Sequence, residues 1–380
     1  MTNDESRNSP NSSLVSRQSS FPTYDAVLLV SFGGPEGPDD VLPFLENVLR
    51  GKPVPRERML EVAEHYHHFG GVSPINEQNR QLISALEREL AAHWPKLPIY
   101  WGNRNWRPFL PDTLRQMSAD GVQWALGFFT SAFSSYSGCR QYRENIAEAR
   151  AIAGPTAPQI DKLRMFYNHP GYIEPLVEHV QHAFEEISPE RRAETLLVFT
   201  AHSIPLAMAV GCNYERQLKE ACHLVAEGVG HSNWQLVYQS RSGSPQQPWL
   251  EPDVCEFIRQ KHSAAPLKDV VILPIGFISD HIEVLYDLDV EVRDACDRLG
   301  INMVRARTVG THPRFVQMIR ELIVERMTGS QDRPALGFLG ASHDRCPDNC
   351  CLRHAELLPV VSEEIATPTV DDARANAKRF

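Results

Sequence analysis

The chain predicts an α/β protein of two similarly planned halves with parallel sheets, and three observations carry that prediction. Short apolar runs of the kind that form strands buried on both faces alternate with stretches of helical spacing. The alternation breaks at Gly154-Pro-Thr-Ala-Pro158 and then restarts on the same plan. In each half a leading strand runs into a tight small-residue turn, Ser31-Phe-Gly-Gly-Pro35 in one and Ala201-His-Ser-Ile-Pro205 in the other. The likeness is one of plan, since the residues themselves do not repeat.

Taken in order, residues 24–31 read as a parallel strand closed by Phe32-Gly-Gly-Pro-Glu-Gly37. Those glycines do not spell a dinucleotide fingerprint and Pro35 removes a backbone donor, so a strand-to-helix turn is the better reading than a phosphate cradle. Helical spacing follows at 41–49, 59–67 and 77–93, strands at 97–101 and 122–129, and a helix at 142–153. Past the break, strands are expected at 195–200, 234–239, 270–278 and 301–305, with helices at 215–226, 253–261 and 313–327. The domains are then 24–155 and 156–328, the last helix packing back on the first domain. A Ser- and Asn-rich tail, 1–23, is expected to be disordered, and 329–380 is a cysteine-bearing tail.

With 380 residues and a net charge of −10, the chain lacks the basic footprint of a nucleic-acid binder. No apolar run reaches the ~18–20 residues of a membrane span, and the N-terminus carries no apolar signal segment, so a cytoplasmic protein is expected. Eight cysteines in such a chain point to reduced thiols or metal ligands rather than disulfides.

The chemistry gathers where the 270–278 run turns polar at Ser279-Asp-His281. Asp280, Glu283, Asp287, Glu291 and Asp294 recur at steps of three and four, which stacks an acidic rail along one helix face. A solvated face is the bland alternative. Against it, Asp280, His281 and Glu283 lie within one turn of a strand's C-terminal end, the edge where open α/β sheets bind ligands. Oxygen with imidazole suits ferrous iron better than calcium. His202 ends another strand of the same half. A lone histidine there is usually structural, but opposite Glu283 it would serve proton abstraction and metal delivery. In the tail, Arg345-Cys-Pro-Asp-Asn-Cys-Cys351 holds three cysteines, with His343 and His354 nearby. Adjacent thiols do not fit a Cys-x2-Cys zinc knuckle, and an iron–sulfur cluster needs a fourth ligand from elsewhere, so spacing leaves both metals open.

Six longer stretches make the sequence recognisable: Leu28-Leu-Val-Ser-Phe-Gly-Gly-Pro35, Phe69-Gly-Gly-Val-Ser-Pro-Ile75, Ser134-Ser-Tyr-Ser-Gly-Cys-Arg-Gln-Tyr142, Phe199-Thr-Ala-His-Ser-Ile-Pro205, Tyr238-Gln-Ser-Arg-Ser-Gly243 and Pro274-Ile-Gly-Phe-Ile-Ser-Asp-His-Ile-Glu283. Over roughly 24–327 the chain resembles the ferrochelatase family, especially coproporphyrin ferrochelatases of actinobacterial type. The resemblance implies two Rossmann-like domains clasping a porphyrin in the cleft between them. It also implies a lyase-class enzyme of haem biosynthesis that inserts Fe²⁺ without redox chemistry. His202 and Glu283 match the family's pair flanking the metal. Ser73 and Tyr142 match porphyrin contacts, and Asp280, His281 and Asp287 fall on its acidic path. Phe32 stands where some relatives place a metal-contacting tyrosine, so that contact does not carry over.

The tail resembles the [2Fe-2S]-bearing members, which makes Cys346, Cys350 and Cys351 ligands. Pro175 occupies the place of the animal members' fourth cysteine, so Cys212 is taken as the fourth ligand, with Cys139 its rival. Coproporphyrin III is the favoured substrate. Protoporphyrin IX is the alternative, and a non-catalytic porphyrin or haem carrier is the rival class. Four propionates need more cationic partners than two, and Arg50, Arg104, Arg107 and Arg140 are the candidates. Transient contact with other haem-pathway enzymes is also implied. Everything turns on a geometric expectation: His202 and Glu283 facing each other across a slot wide enough for a flat tetrapyrrole.

Overall fold

A computed structural model describes residues 23–52, 54–242 and 247–353. All but Thr23 of the expected disordered tail, Gly243, His354 and the rest of the cysteine tail lie outside the described residues.

Two four-stranded parallel sheets form the frame. The first has the order β2-β1-β3-β4, with β1 at Ala26–Ser31, β2 at Ile99–Asn103, β3 at Trp124–Phe129 and β4 at Gln159–Lys162. The second repeats that order as β6-β5-β7-β8, with β5 at Leu196–His202, β6 at Trp234–Gln239, β7 at Asp269–Leu273 and β8 at Asn302–Arg305. The central strands β1 and β7 are buried along their whole length. Helices on both faces cover them, which is why these strands read as apolar runs instead of alternating ones.

β4 moves the domain boundary expected at 155. It pairs in parallel with β3, Trp124 opposite Gln159 and Gly127 opposite Lys162, so the first sheet runs past Gly154-Pro155. Its sequence, Gln-Ile-Asp-Lys, is short and polar because the strand lies at an edge. The Gly-Pro stretch before it is a helix-to-strand loop, with Gly154 at φ 107. Helix Pro170–Glu185 was likewise hidden by its two prolines; Pro170 starts it, and His169 Nδ1 accepts the Gly171 N–H as a cap.

The halves are joined through one large apolar core. Phe128 of β3, Phe166, Tyr172 and Phe315 of helix Pro313–Thr328 pack ring against ring within it. The same helix lies against Ile75–Ala92, where Arg320 Nε donates to Glu89 at 2.7 Å. It is further tied to the segment after β4 by Arg164, 2 % exposed, whose guanidinium grips both oxygens of Glu325 at 2.7 and 2.9 Å. Arg333 also donates to Glu325, at 3.1 Å, so removing Arg164 leaves the buried carboxylate half-paired. Arg164→Ala should therefore cost about 2–3 kcal/mol, below the range for a fully stranded charge, read as a lower urea midpoint at unchanged slope. A loss under about 1 kcal/mol would mark the pair as no better than a surface bridge.

Candidate active site

β7 stops at Leu273 because Pro274 has no N–H for the ladder. The chain then crosses the end of β5, where the Gly276 N–H donates to the Thr200 carbonyl at 3.0 Å. A methyl on Gly276 would meet Ala201 Cβ at 2.7 Å, so only glycine fits the crossing. This crossing brings the end of β5, His202, beside the helix that begins at Ile282. His202 Nδ1–H donates to the Ser203 carbonyl, which leaves the Nε2 lone pair unused. That Nε2 lies 3.8 Å from Glu283 Oε2, and both side chains are partly open to solvent.

The spacing corrects the expected slot. A flat ring with a group on each face needs about 7 Å, two van der Waals contacts. At 3.8 Å the imidazole and the carboxylate stand side by side, with no room for a ring between them.

Behind the pair the helix changes type, running as a π-helix from Leu285 to Val292. Such insertions cluster at functional sites. Glu283 just before it and Glu291 within it lie close enough to Asp287 to raise its proton affinity. Burial, more than either neighbour, lifts Asp287 to about 7, against the pull of a Ser240 hydroxyl and Gln239 Nε2 that both donate to it. Ser240 is held at φ 61, a left-handed conformation that L residues adopt only at a cost. Its hydroxyl is thereby aimed at Asp287 from the end of β6. Neither Gln239 nor Ser240 stood out by residue type; they lie in the Tyr238–Gly243 stretch whose role only the fold reveals.

The other expected site residues divide. His281, its basicity lowered by burial, packs edge-on to Phe277 at 4.9 Å and feels Glu283 and His202. Asp280 is tied down: Arg305 donates to its two oxygens at 3.2 and 3.3 Å, and to Asp289 at 2.7 Å. Its N–H also donates to Gln78 Oε1 across the interface. Asp280 thus locks the loop, and the open carboxylates begin at Glu283. Ser73 is 4 % exposed and packed beneath Gly34, where a methyl would meet its Cβ at 2.7 Å. Tyr142, 5 % exposed, stacks with Phe129 at 5.1 Å and carries the Arg104 guanidinium over its ring at 4.5 Å.

The first half supplies the opposite wall. On helix Arg56–His68, buried Tyr66 is pushed well above the ordinary phenol range by burial and then by the Glu283 charge. His65 stacks on Tyr286 at 3.7 Å, which fastens that helix to the acidic one.

Four thiols meet at the tail. Cys139 Sγ, from the turn before Tyr142, lies 3.9 Å from Cys346 Sγ, and Cys350 Sγ lies 3.5 Å from Cys351 Sγ. Cys212 faces Cys350 and Cys351 more remotely and turns its thiol to the Ala209 carbonyl at 3.6 Å. Cys139 is therefore the cysteine that joins the triplet in contact, not Cys212 as expected. Two tetrahedral metal ions, each holding two thiolates at ~2.3 Å, require sulfur pairs about 3.8 Å apart; the observed pairs fit. His343 offers a nitrogen within 4.8 Å of the Cys346 and Cys350 sulfurs, the start of a zinc-like set. Arg140 is engaged here too, donating to the Asp348 carbonyl at 2.6 Å, and so is withdrawn from the substrate candidates. No helix of the described residues is long and apolar enough to cross a membrane.

SirB from Bacillus subtilis, solved with Fe³⁺, superposes with a TM-score of 0.51 over 82% of this chain and 99% of its own, at 11% identity, a likeness of fold alone. In sequence the relatives are far nearer. The ferrochelatase of Rhodopirellula baltica is 60% identical over 342 residues, 90% of this chain and 97% of that one. The coproporphyrin III ferrochelatase of Streptomyces coelicolor is 51% identical over 351 residues, covering 86% and 93%. That of Mycolicibacterium smegmatis is 49% identical over 318 residues, covering 83% and 93%. The ferrochelatase family model matches residues 24–327, a span that holds both sheets and the His202–Glu283 pair, and the chain belongs to the ferrochelatase family.

Proposed function

We propose that the protein inserts Fe²⁺ into coproporphyrin III, a lyase-class reaction, with His202 and Glu283 as its working pair. The observation that carries this reading is the free Nε2 of His202 at 3.8 Å from Glu283. The reaction replaces two pyrrole N–H protons by one divalent ion, so charge balances only if both protons leave. His202 Nε2 takes the two ring protons in turn, handing the first on before the second leaves, and Glu283 holds the incoming iron beside it. Asp287, poised near neutral pH, passes protons from the pair toward solvent. A ring bound bent presents its nitrogens to one face, which suits a pair that approaches from one side. Relatives named coproporphyrin III ferrochelatases support the substrate choice. Anaerobic turnover on coproporphyrin III should exceed that on protoporphyrin IX; equal or faster turnover on protoporphyrin IX would overturn the preference.

Asp287 also marks stability. It keeps its proton to about pH 7 in the folded chain, whereas an unfolded carboxyl loses it near about pH 4. The folded state binds more protons between those values, so this group's contribution to stability falls as pH rises from about 4 to about 7. Asp287→Asn lacks that loss. Its urea midpoint should gain on the parent's across that window and no further above it; a difference constant with pH would contradict the assignment.

For the tail we read a [2Fe-2S] cluster on Cys139, Cys346, Cys350 and Cys351, a bound group that staples the tail to the turn before Tyr142. Purified protein should be brown, with about two irons and two acid-labile sulfides per chain. A colourless, zinc-loaded protein would favour His343 and the zinc reading instead.

A further inference from the structure

His343 has no part in the four-thiol site, yet it lies against it. One of its ring nitrogens and the sulfurs of Cys346 and Cys350 all fall within 4.8 Å of one another, the histidine exposed and both cysteines half-buried. In a tetrahedral zinc site, with Zn–S ~2.3 Å and Zn–N ~2.0 Å, sulfur and nitrogen ligands stand about 3.5 Å apart. The observed spread exceeds that by at most about 1.3 Å, the scope of a side-chain rotation. Arginines pin the backbone on both sides, independently of any metal. Arg333, itself bound to Glu325, donates to the Ser342 carbonyl at 2.7 Å and to Asp344 Oδ1 at 3.0 Å, the residues either side of His343. Arg140 donates to the Asp348 and Cys350 carbonyls at 2.6 and 3.3 Å. A surface histidine is commonplace, but one held between two anchored residues beside two thiols is placed as a ligand.

The cluster leaves this nitrogen unused. A [2Fe-2S] group on Cys139, Cys346, Cys350 and Cys351 takes the thiolates as two pairs, following the 3.9 Å and 3.5 Å sulfur contacts. His343 instead meets one thiol from each pair, Cys346 and Cys350. Cys139, 3.9 Å from Cys346, stands next to the fourth position. The two arrangements share ligands, so one chain can hold either metal group but not both.

We propose that the cluster-free tail is a zinc site of His343, Cys346 and Cys350, closed by Cys139, and that zinc and the cluster exclude each other. Thiolates with one imidazole in a tetrahedral set select zinc over magnesium or calcium. On binding, Zn²⁺ displaces the thiol protons to the buffer, and nothing is oxidised or reduced. Cys351 serves only the cluster and His343 only zinc, so the two states are separable. When iron or sulfide is short, zinc keeps the tail fastened to the turn that carries Cys139. The mutual exclusion rests on the cluster reading above; the zinc site itself does not.

The test uses the untagged full chain, freed of iron anaerobically with a chelator, and Co²⁺ as a coloured stand-in for zinc. Sulfur-to-cobalt charge-transfer absorption reports thiolate ligation and is blind to an ion at His202 and Glu283. The parent should develop that absorption on titration with Co²⁺ and lose it to added Zn²⁺. His343→Ala should weaken both metals by more than about 100-fold, since outer-shell partners alone are worth about 10–100-fold. Its reconstituted cluster should keep the parent's visible absorption and its iron and sulfide counts. Cys351→Ser should do the reverse, losing the cluster and keeping zinc. Zinc added before iron and sulfide should block cluster assembly in the parent and far less in His343→Ala. Equal zinc affinity in parent and His343→Ala, loss of zinc in Cys351→Ser, or cluster and thiolate-bound zinc on one chain overturns the proposal. A parent that assembles no cluster from iron and sulfide fails the cluster reading instead, and the His343 comparison still decides the zinc site.

Discussion

Replacing His202 by alanine is expected to cut iron insertion by about 10²–10⁴-fold, the range for losing a positioned acid–base group, while porphyrin binding stays within a few-fold. The side chain is partly exposed and its ring makes one backbone hydrogen bond, so its removal leaves the core intact. Glu283→Gln keeps the shape and loses the charge, and should act on the same step. In the proposed mechanism the two groups, with Nε2 and Oε2 3.8 Å apart, would work on one ion and one proton set. The double variant should therefore cost little more than the worse single one. Single-turnover mixing of bound porphyrin with Fe²⁺ separates the outcomes. Slow metallation with intact binding supports the pair, whereas lost binding with normal metallation would assign both residues to holding the ring.

Cys139→Ser is expected to abolish the tail's iron and sulfide together, while Cys212→Ser keeps both. The expectation follows from sulfur distances: Cys139 touches Cys346 at 3.9 Å, whereas the Cys212 thiol turns to a backbone carbonyl. At Cys346 the Cys139 thiol donates and Lys162 adds positive charge, so the thiolate form is favoured. Visible absorption with iron and sulfide counts on both variants decides. Retention in Cys139→Ser together with loss in Cys212→Ser would return the fourth position to Cys212.

Much of this was legible in the sequence where chemistry repeats locally. Strands buried on both faces read as apolar runs, so β1, β3, β5 and β7 were placed within a few residues. The π-helix kept the four-residue carboxylate spacing that announced the acidic helix. What escaped was set by contacts distant along the chain. β4 is a polar edge strand that only β3 defines. Arg305, twenty-five residues beyond Asp280, ties that carboxylate down. Cys139 and Cys346 are 207 positions apart, and spacing along the chain is silent about such a meeting. The separation between His202 and Glu283 was beyond reach for the same reason: it depends on how the Gly276 crossing seats one strand end against another.

The most direct measurement mixes the purified full chain anaerobically with Fe²⁺ and coproporphyrin III and follows the visible spectrum. Collapse of the free-base bands to those of the iron porphyrin, at a rate proportional to protein and lost in His202→Ala, is the expected result. A spectrum that shifts on binding and then stays free-base would identify a carrier and contradict the account.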